Sequence, residues 1–162
     1  MKLQTTALLI VLTFAGTPTM AADEPKLPHQ EGSGHLMVNA DALEWKDVPS
    51  MAEGAKIAVI EGDLSKEEPF TFRLKLPQNY KIAPHTHPAV ERVTVLSGTL
   101  HFARGEEFDQ QKAMPLRQGS VAIMPPGDPM YGFTTTEETI IQIHGTGPWG
   151  IDYINPEDDP RN

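Results

Sequence analysis

An all-β fold, a sandwich or barrel of the jelly-roll kind, is what this sequence predicts. Three observations lead there. Fifteen prolines and thirteen glycines among 162 residues cut the chain into short pieces. Between them lie about eight segments that are rich in β-branched residues or alternate apolar with polar side chains. No stretch carries a 3.6-residue apolar stripe long enough for a core helix. Short strands joined by Gly/Pro turns are built into sandwiches and barrels.

Taken in order, residues 1–21 read as a secretory leader. Lys2 is its charged start, and Ala7 to Ala15 is an apolar run too short to span a bilayer. Thr19-Met20-Ala21 supplies small residues at a cleavage site, so the cut is expected after Ala21. A retained membrane anchor is the alternative, and the short apolar run with a cleavable end argues against it. No cysteine stands near the cut to carry a lipid. The expected location is therefore periplasmic or secreted, with no membrane contact after leader removal. Residues 22–50 are polar, contain Pro25, Pro28, Gly32 and Gly34, and read as an arm that docks Trp45. The barrel is expected over residues 51–154, and residues 155–162 form an acidic tail.

Within the barrel, Lys56-Ile57-Ala58-Val59-Ile60-Glu61 is β-branched and stops at Gly62-Asp63. Phe70-Thr71-Phe72-Arg73-Leu74-Lys75-Leu76 alternates strictly, with four apolar side chains on one face. Residues 80–87 read as extended. Residues 91–96 and 99–103 flank Ser97-Gly98, a hairpin signal. Residues 106–117 read as a polar connection. Ser120 to Met124 is an apolar strand ended by Pro125-Pro126-Gly127, and residues 130–133 and 139–144 complete the set.

The charge balance excludes some partners. Thirteen basic against 22 acidic residues give a net charge of −9, and no basic stripe exists. Phosphate backbones are bound by clustered Lys and Arg, so no nucleic-acid partner is expected. The absence of cysteine removes disulfides, thiolate zinc sites and cysteine nucleophiles together. There is neither a Gly-x-Ser-x-Gly elbow nor a Gly-rich phosphate loop.

The chemistry gathers at His85-Thr86-His87. Two imidazoles two residues apart on an extended chain point to one face. Glu91 follows after Pro88 bends the chain and offers an anionic oxygen to the same point. Two histidines and one carboxylate are a facial ligand set for a divalent metal ion (Fe, Mn, Ni, Co or Zn) and leave positions open. His85, His87 and Glu91 are the candidate metal ligands. Along residues 140–144, Ile140, Gln142 and His144 share a face, so Gln142 and His144 could both line the barrel interior. There His144 would be a substitute ligand or acid/base group; capping the strand end is its alternative role. Met114, Met124 and Met130 in the same region raise copper as a further metal. Core packing is the commoner role of methionine. His101 is expected outward, and His29 and His35 lie in the arm.

His85-x-His87-x3-Glu91-x6-Gly98 resembles the first sequence motif of the cupins, and Gly119-x5-Pro125-x-Gly127 resembles the first half of their second motif. The resemblance covers roughly residues 54–147 and implies a single cupin-type double-stranded β-helix holding a metal inside the barrel. It departs from the pattern twice. Asn79 stands where the first motif opens with glycine, and Met130 stands where the second motif supplies a third histidine. The ending Gly145 to Tyr153, with Ile60-Glu61-Gly62-Asp63, is similar to small exported cupins related to the cupin module of an anti-sigma factor. The resemblance implies a metal-dependent enzyme of dioxygenase, isomerase or lyase type acting on a small organic molecule. The alternative it implies is a non-catalytic cupin that binds or senses a small molecule or metal. A homodimer is implied in the same way.

Overall fold

The computed structural model describes residues 35–162. The leader and most of the arm, including His29, lie outside the described residues. Eleven strands follow one another: β1 (Lys46–Asp47), β2 (Lys56–Glu61), β3 (Pro69–Leu76), β4 (Lys81–Thr86), β5 (Glu91–Ser97), β6 (Thr99–Arg104), β7 (Met114–Arg117), β8 (Val121–Met124), β9 (Met130–Phe133), β10 (Thr139–Thr146) and β11 (Asp152–Tyr153). Three single 3-10 turns, at Ala40–Ala42, Gln110–Lys112 and Pro156–Asp158, are the only helical pieces among the described residues. No helix there is long and apolar enough to cross a membrane.

The strands form two antiparallel sheets. One has six strands in the order β1-β2-β3-β10-β5-β8, and the other has five in the order β11-β4-β9-β6-β7. Their inner faces enclose the core. The alternation of β3 buries Phe70, Phe72, Leu74 and Leu76, each 3% exposed or less. β10 adds Ile141 and Ile143, and β5 adds Val93 and Val95. The polar residues between them face outward: Arg73 of β3 stands opposite Gln142 of β10 and donates from Nε to its Oε1 at 3.1 Å.

Two expectations change. Ser97-Gly98 does not close a hairpin, because β5 pairs with β10 and β8 while β6 pairs with β9 and β7. It carries the chain from one sheet to the other. Gly98 does turn the chain, at φ 73°, but the partners are chosen by distant strands. Residues 106–117 are not wholly a connection either, since β7 occupies their end; Pro115 and the weak alternation of Met-Pro-Leu-Arg conceal it.

Asn79 adopts the left-handed conformation at φ 57°, so asparagine serves where the motif has glycine. Gly98 is more constrained. Its φ is 73°, and a Cβ there would lie 2.5 Å from the Glu138 carbonyl oxygen and 2.6 Å from Thr139 Oγ1. Gly98→Ala is therefore expected to cost at least about 1–3 kcal/mol, the ordinary size of such backbone strain. Urea unfolding measures it, and a loss below 0.5 kcal/mol, on the order of an ordinary surface substitution, would contradict the close approach.

Candidate metal centre

β4 and the residues just after it deliver the two imidazoles, and the first residue of β5 delivers the carboxylate. His85, His87 and Glu91 are 5%, 3% and 4% exposed. The two rings lie 4.8 Å apart, edge to face. His87 Nε2 is 3.4 Å from Glu91 Oε2. All three side chains line one cavity of about 30 Å³ inside the barrel. That is room for one or two waters. The rest of its wall is apolar, from Leu74, Phe102, Ile141 and Ile143 among others.

Each ring is fixed from behind. His85 Nδ1 bonds the Ala83 carbonyl oxygen at 2.7 Å, and His87 Nδ1 bonds that of Gly150 at 2.5 Å. Only an N–H can donate to a carbonyl, so Nδ1 carries the proton and the neutral ring keeps its lone pair on Nε2. Burial favours that neutral form. It pushes His85 down to about 4, helped by His87, and lowers His87 as well.

Glu91 is the contrasting member. Burial pushes its carboxyl up to about 8, and among the described residues no Lys or Arg pairs with it. The Trp149 indole opposes that rise, although its Nε1 is buried without a partner in hydrogen-bonding geometry. Trp149 also stacks on His87, with centroids 5.0 Å apart, and meets Phe72 edge-on at 4.8 Å. Its segment closes the cavity on one side. Tyr153 Oη anchors the far end of that segment by donating to the Ser50 carbonyl oxygen.

The donor set fits a divalent cation. Two Nε2 lone pairs and one buried carboxylate share a cavity that supplies no positive charge of its own. Among the described residues, no three His, Asp or Glu side chains stand closed to coordination distance. The side chains would have to draw together around the ion. Met130, at the start of β9, is the register partner of His85 and is buried in the hydrophobic core. Met124 is also core, whereas Met114 is 64% exposed.

His144 and Gln142 are not part of this site. β10 turns Ile141 and Ile143 into the cavity and places Gln142 and His144 on the outer face. The interior placement that alternation left open for them is not the one adopted, because the apolar set claims the dry side. His101 stacks on Phe133, and the next residue, Phe102, reaches the cavity. His35 is exposed in the arm. Sequence reasoning missed the carbonyl of Gly150 behind His87, 63 residues away, and Met51, which the segment between β1 and β2 contributes to the wall. No local signal marks either.

A family model described as a domain of unknown function, DUF4437, matches residues 37–158. The chain belongs to this family. No curated protein matches the DUF4437 chain in sequence. Solved structures match its fold. The polyketide cyclase RemF from Streptomyces resistomycificus superposes with a TM-score of 0.65 at 14% identity, over 77% of this chain and 89% of that one. An RmlC-like cupin from Shewanella frigidimarina gives 0.55 at 16% identity, over 71% and 93%. KdgF from Halomonas sp. gives 0.52 at 14% identity, over 67% and 93%. The DUF4437 domain thus has the cupin fold, a jelly-roll barrel of two antiparallel sheets. At such identities the likeness establishes the fold and leaves the activity to the site.

Proposed function

We propose that this cupin is an exported protein that holds one divalent metal ion through His85, His87 and Glu91. The observation that carries the reading is the buried carboxyl of Glu91, 3.4 Å from His87 Nε2 and with no Lys or Arg beside it, next to two imidazoles whose Nδ1 atoms are both tied to backbone carbonyls. Ionising that carboxyl in the dry cavity is costly, and a dication offsets the cost. Fe, Mn, Ni, Co, Zn and Cu are all compatible with the donor set; the thioether of Met130, next to His85 in register, is the feature that keeps copper among them.

Bound there, the ion would supply Lewis acidity or O₂ activation toward a small organic molecule. The chain itself would exclude bulk water through its apolar wall and orient the two rings through Ala83 and Gly150. An enzyme of dioxygenase, isomerase or lyase type is the fuller form of this reading. RemF is a polyketide cyclase, and one other matching structure comes from work on the DMSP lyases RdDddP and RnDddQII, so proteins of this fold are found among enzymes. One observation favours the second reading, a binding or sensing cupin without turnover, which the resemblance to an anti-sigma-factor module also suggests. Apart from the three would-be ligands, no ionisable residue lines the cavity, so no separate acid or base stands ready there.

Elemental analysis of the untagged, exported protein tests the proposal, with wild type beside His87→Ala. Near-stoichiometric metal in the wild type and roughly a tenth of it or less in the variant is expected, because one of three ligands is gone. The N-terminal residue of the same preparation is expected to be Ala22. No metal after reconstitution with each candidate ion overturns the reading.

A further inference from the structure

A second cavity lies outside the barrel, between the arm and the outer face of the six-stranded sheet. It measures about 290 Å³ and is lined by Leu36, Val38, Ile60, Glu61, Thr71, Arg73 and Gln142. That is the lower end of small-molecule pockets, which run from roughly 300 to 1,000 Å³. Its chemistry is sorted by position. The outward side chains of β3 and β10 make the polar floor, the end of β2 supplies a carboxylate, and the arm supplies two aliphatic residues.

The floor is organised around Arg73. The side chain is half-buried, and Nε is committed to Gln142 Oε1 at 3.1 Å, which fixes the guanidinium plane. Its terminal nitrogens have no carboxylate partner among the described residues. A fixed, half-buried guanidinium without a counter-ion is a carboxylate receptor. Glu61 stands on the neighbouring strand opposite Thr71, two residues from Arg73 along β3. One of its oxygens accepts from Thr71 Oγ1 at 3.3 Å. Such diagonal cross-strand neighbours stand about 7–8 Å apart at the backbone, so their long side chains can converge on two opposite charges carried close together by one small molecule. Leu36 and Val38 meanwhile keep 46% and 37% of their surface exposed. One row along the same face, His144 Nδ1 is buried without a partner, so this face does not satisfy its own polar groups.

We propose that this cleft binds a free aliphatic α-amino acid. Its carboxylate would meet Arg73, its ammonium Glu61, and its side chain Leu36, Val38 and Ile60. The inference is independent of the metal centre, which lies inside the barrel, between the two sheets.

Calorimetric titration of the full chain tests it with three probes: L-leucine, hexanoate (carboxylate and alkyl chain only) and 3-methylbutylamine (amine and alkyl chain only). L-leucine is expected to bind, and each single-charge probe to bind at least about tenfold more weakly, the size of one charged hydrogen bond. Arg73→Gln is expected to weaken L-leucine at least about tenfold, and Arg73→Lys, which keeps the charge, to retain part of the affinity. Glu61→Gln is expected to bring L-leucine down to the level of hexanoate. Wild type stripped of metal with a chelator is expected to bind L-leucine as the untreated protein does. No binding of L-leucine at about 10 mM, weaker than ordinary small-ligand affinities, overturns the proposal. Unchanged affinity in Arg73→Gln, equal binding of hexanoate, or loss of binding after chelation overturns it as well.

Discussion

Replacing Phe72 by alanine is expected to lower the unfolding free energy by about 3–5 kcal/mol. The side chain is fully buried at the middle of β3. It stacks on Phe70 at 5.7 Å and receives the edge of Trp149 at 4.8 Å. Truncation leaves a void on the inner face, where the neighbours are held by strand pairing to β2 and β10 and can close it only in part. The effect also reaches the candidate centre. Trp149 leans on Phe72 on one side and stacks on His87 on the other. Without the first support the second is looser, so weaker metal retention is expected alongside the stability loss. Urea unfolding gives the free energy, and a loss under about 1 kcal/mol, typical of an unremarkable substitution, would contradict this account of the core.

Glu91→Gln is expected to separate metal from fold. The amide is nearly isosteric, so packing is kept, but the anionic donor is gone. Metal affinity should drop by more than the roughly 10- to 100-fold that partners behind the ligands are worth. The stability of the metal-free variant, in contrast, should equal or exceed that of metal-free wild type. Glu91 is 4% exposed with no Lys or Arg beside it, and the amide avoids the cost of protonating or burying a carboxylate there on folding. Chelator competition reads the affinity, and urea unfolding after chelation reads the stability. A metal-free variant markedly less stable than wild type would mean that the carboxylate serves the fold, and the metal reading would lose its main support.

The inner strands were legible because one face of each is dry. Phe70, Phe72, Leu74 and Leu76 alternate with polar residues, and period two leaves a single way to bury them. The ligand candidates were legible for the same reason, since two histidines at that spacing on an extended chain must share a face. What stayed hidden was non-local. Nothing near Ser97-Gly98 states that β5 and β6 join different sheets, and nothing near His87 names the Gly150 carbonyl. For β10 the alternation was visible, but it defines two faces without saying which is inner. The isoleucines decided it, because two polar side chains inside would have needed partners that the apolar wall does not offer.

β10 has a further consequence for how this barrel tolerates change. The strand pairs with β3 from Thr139 to Thr146 and with β5 from Ile140 to His144, so its middle is flanked on both sides. Its odd positions answer to the dry interior and its even positions to the exterior surface. Point substitutions at Gln142 or His144 therefore leave the inner chemistry in place. A one-residue insertion does the opposite: it turns the isoleucines outward and brings the glutamine and histidine in, erasing both cavities in one step. Variation in this strand is thus open to changes of identity on one side and closed to changes of length.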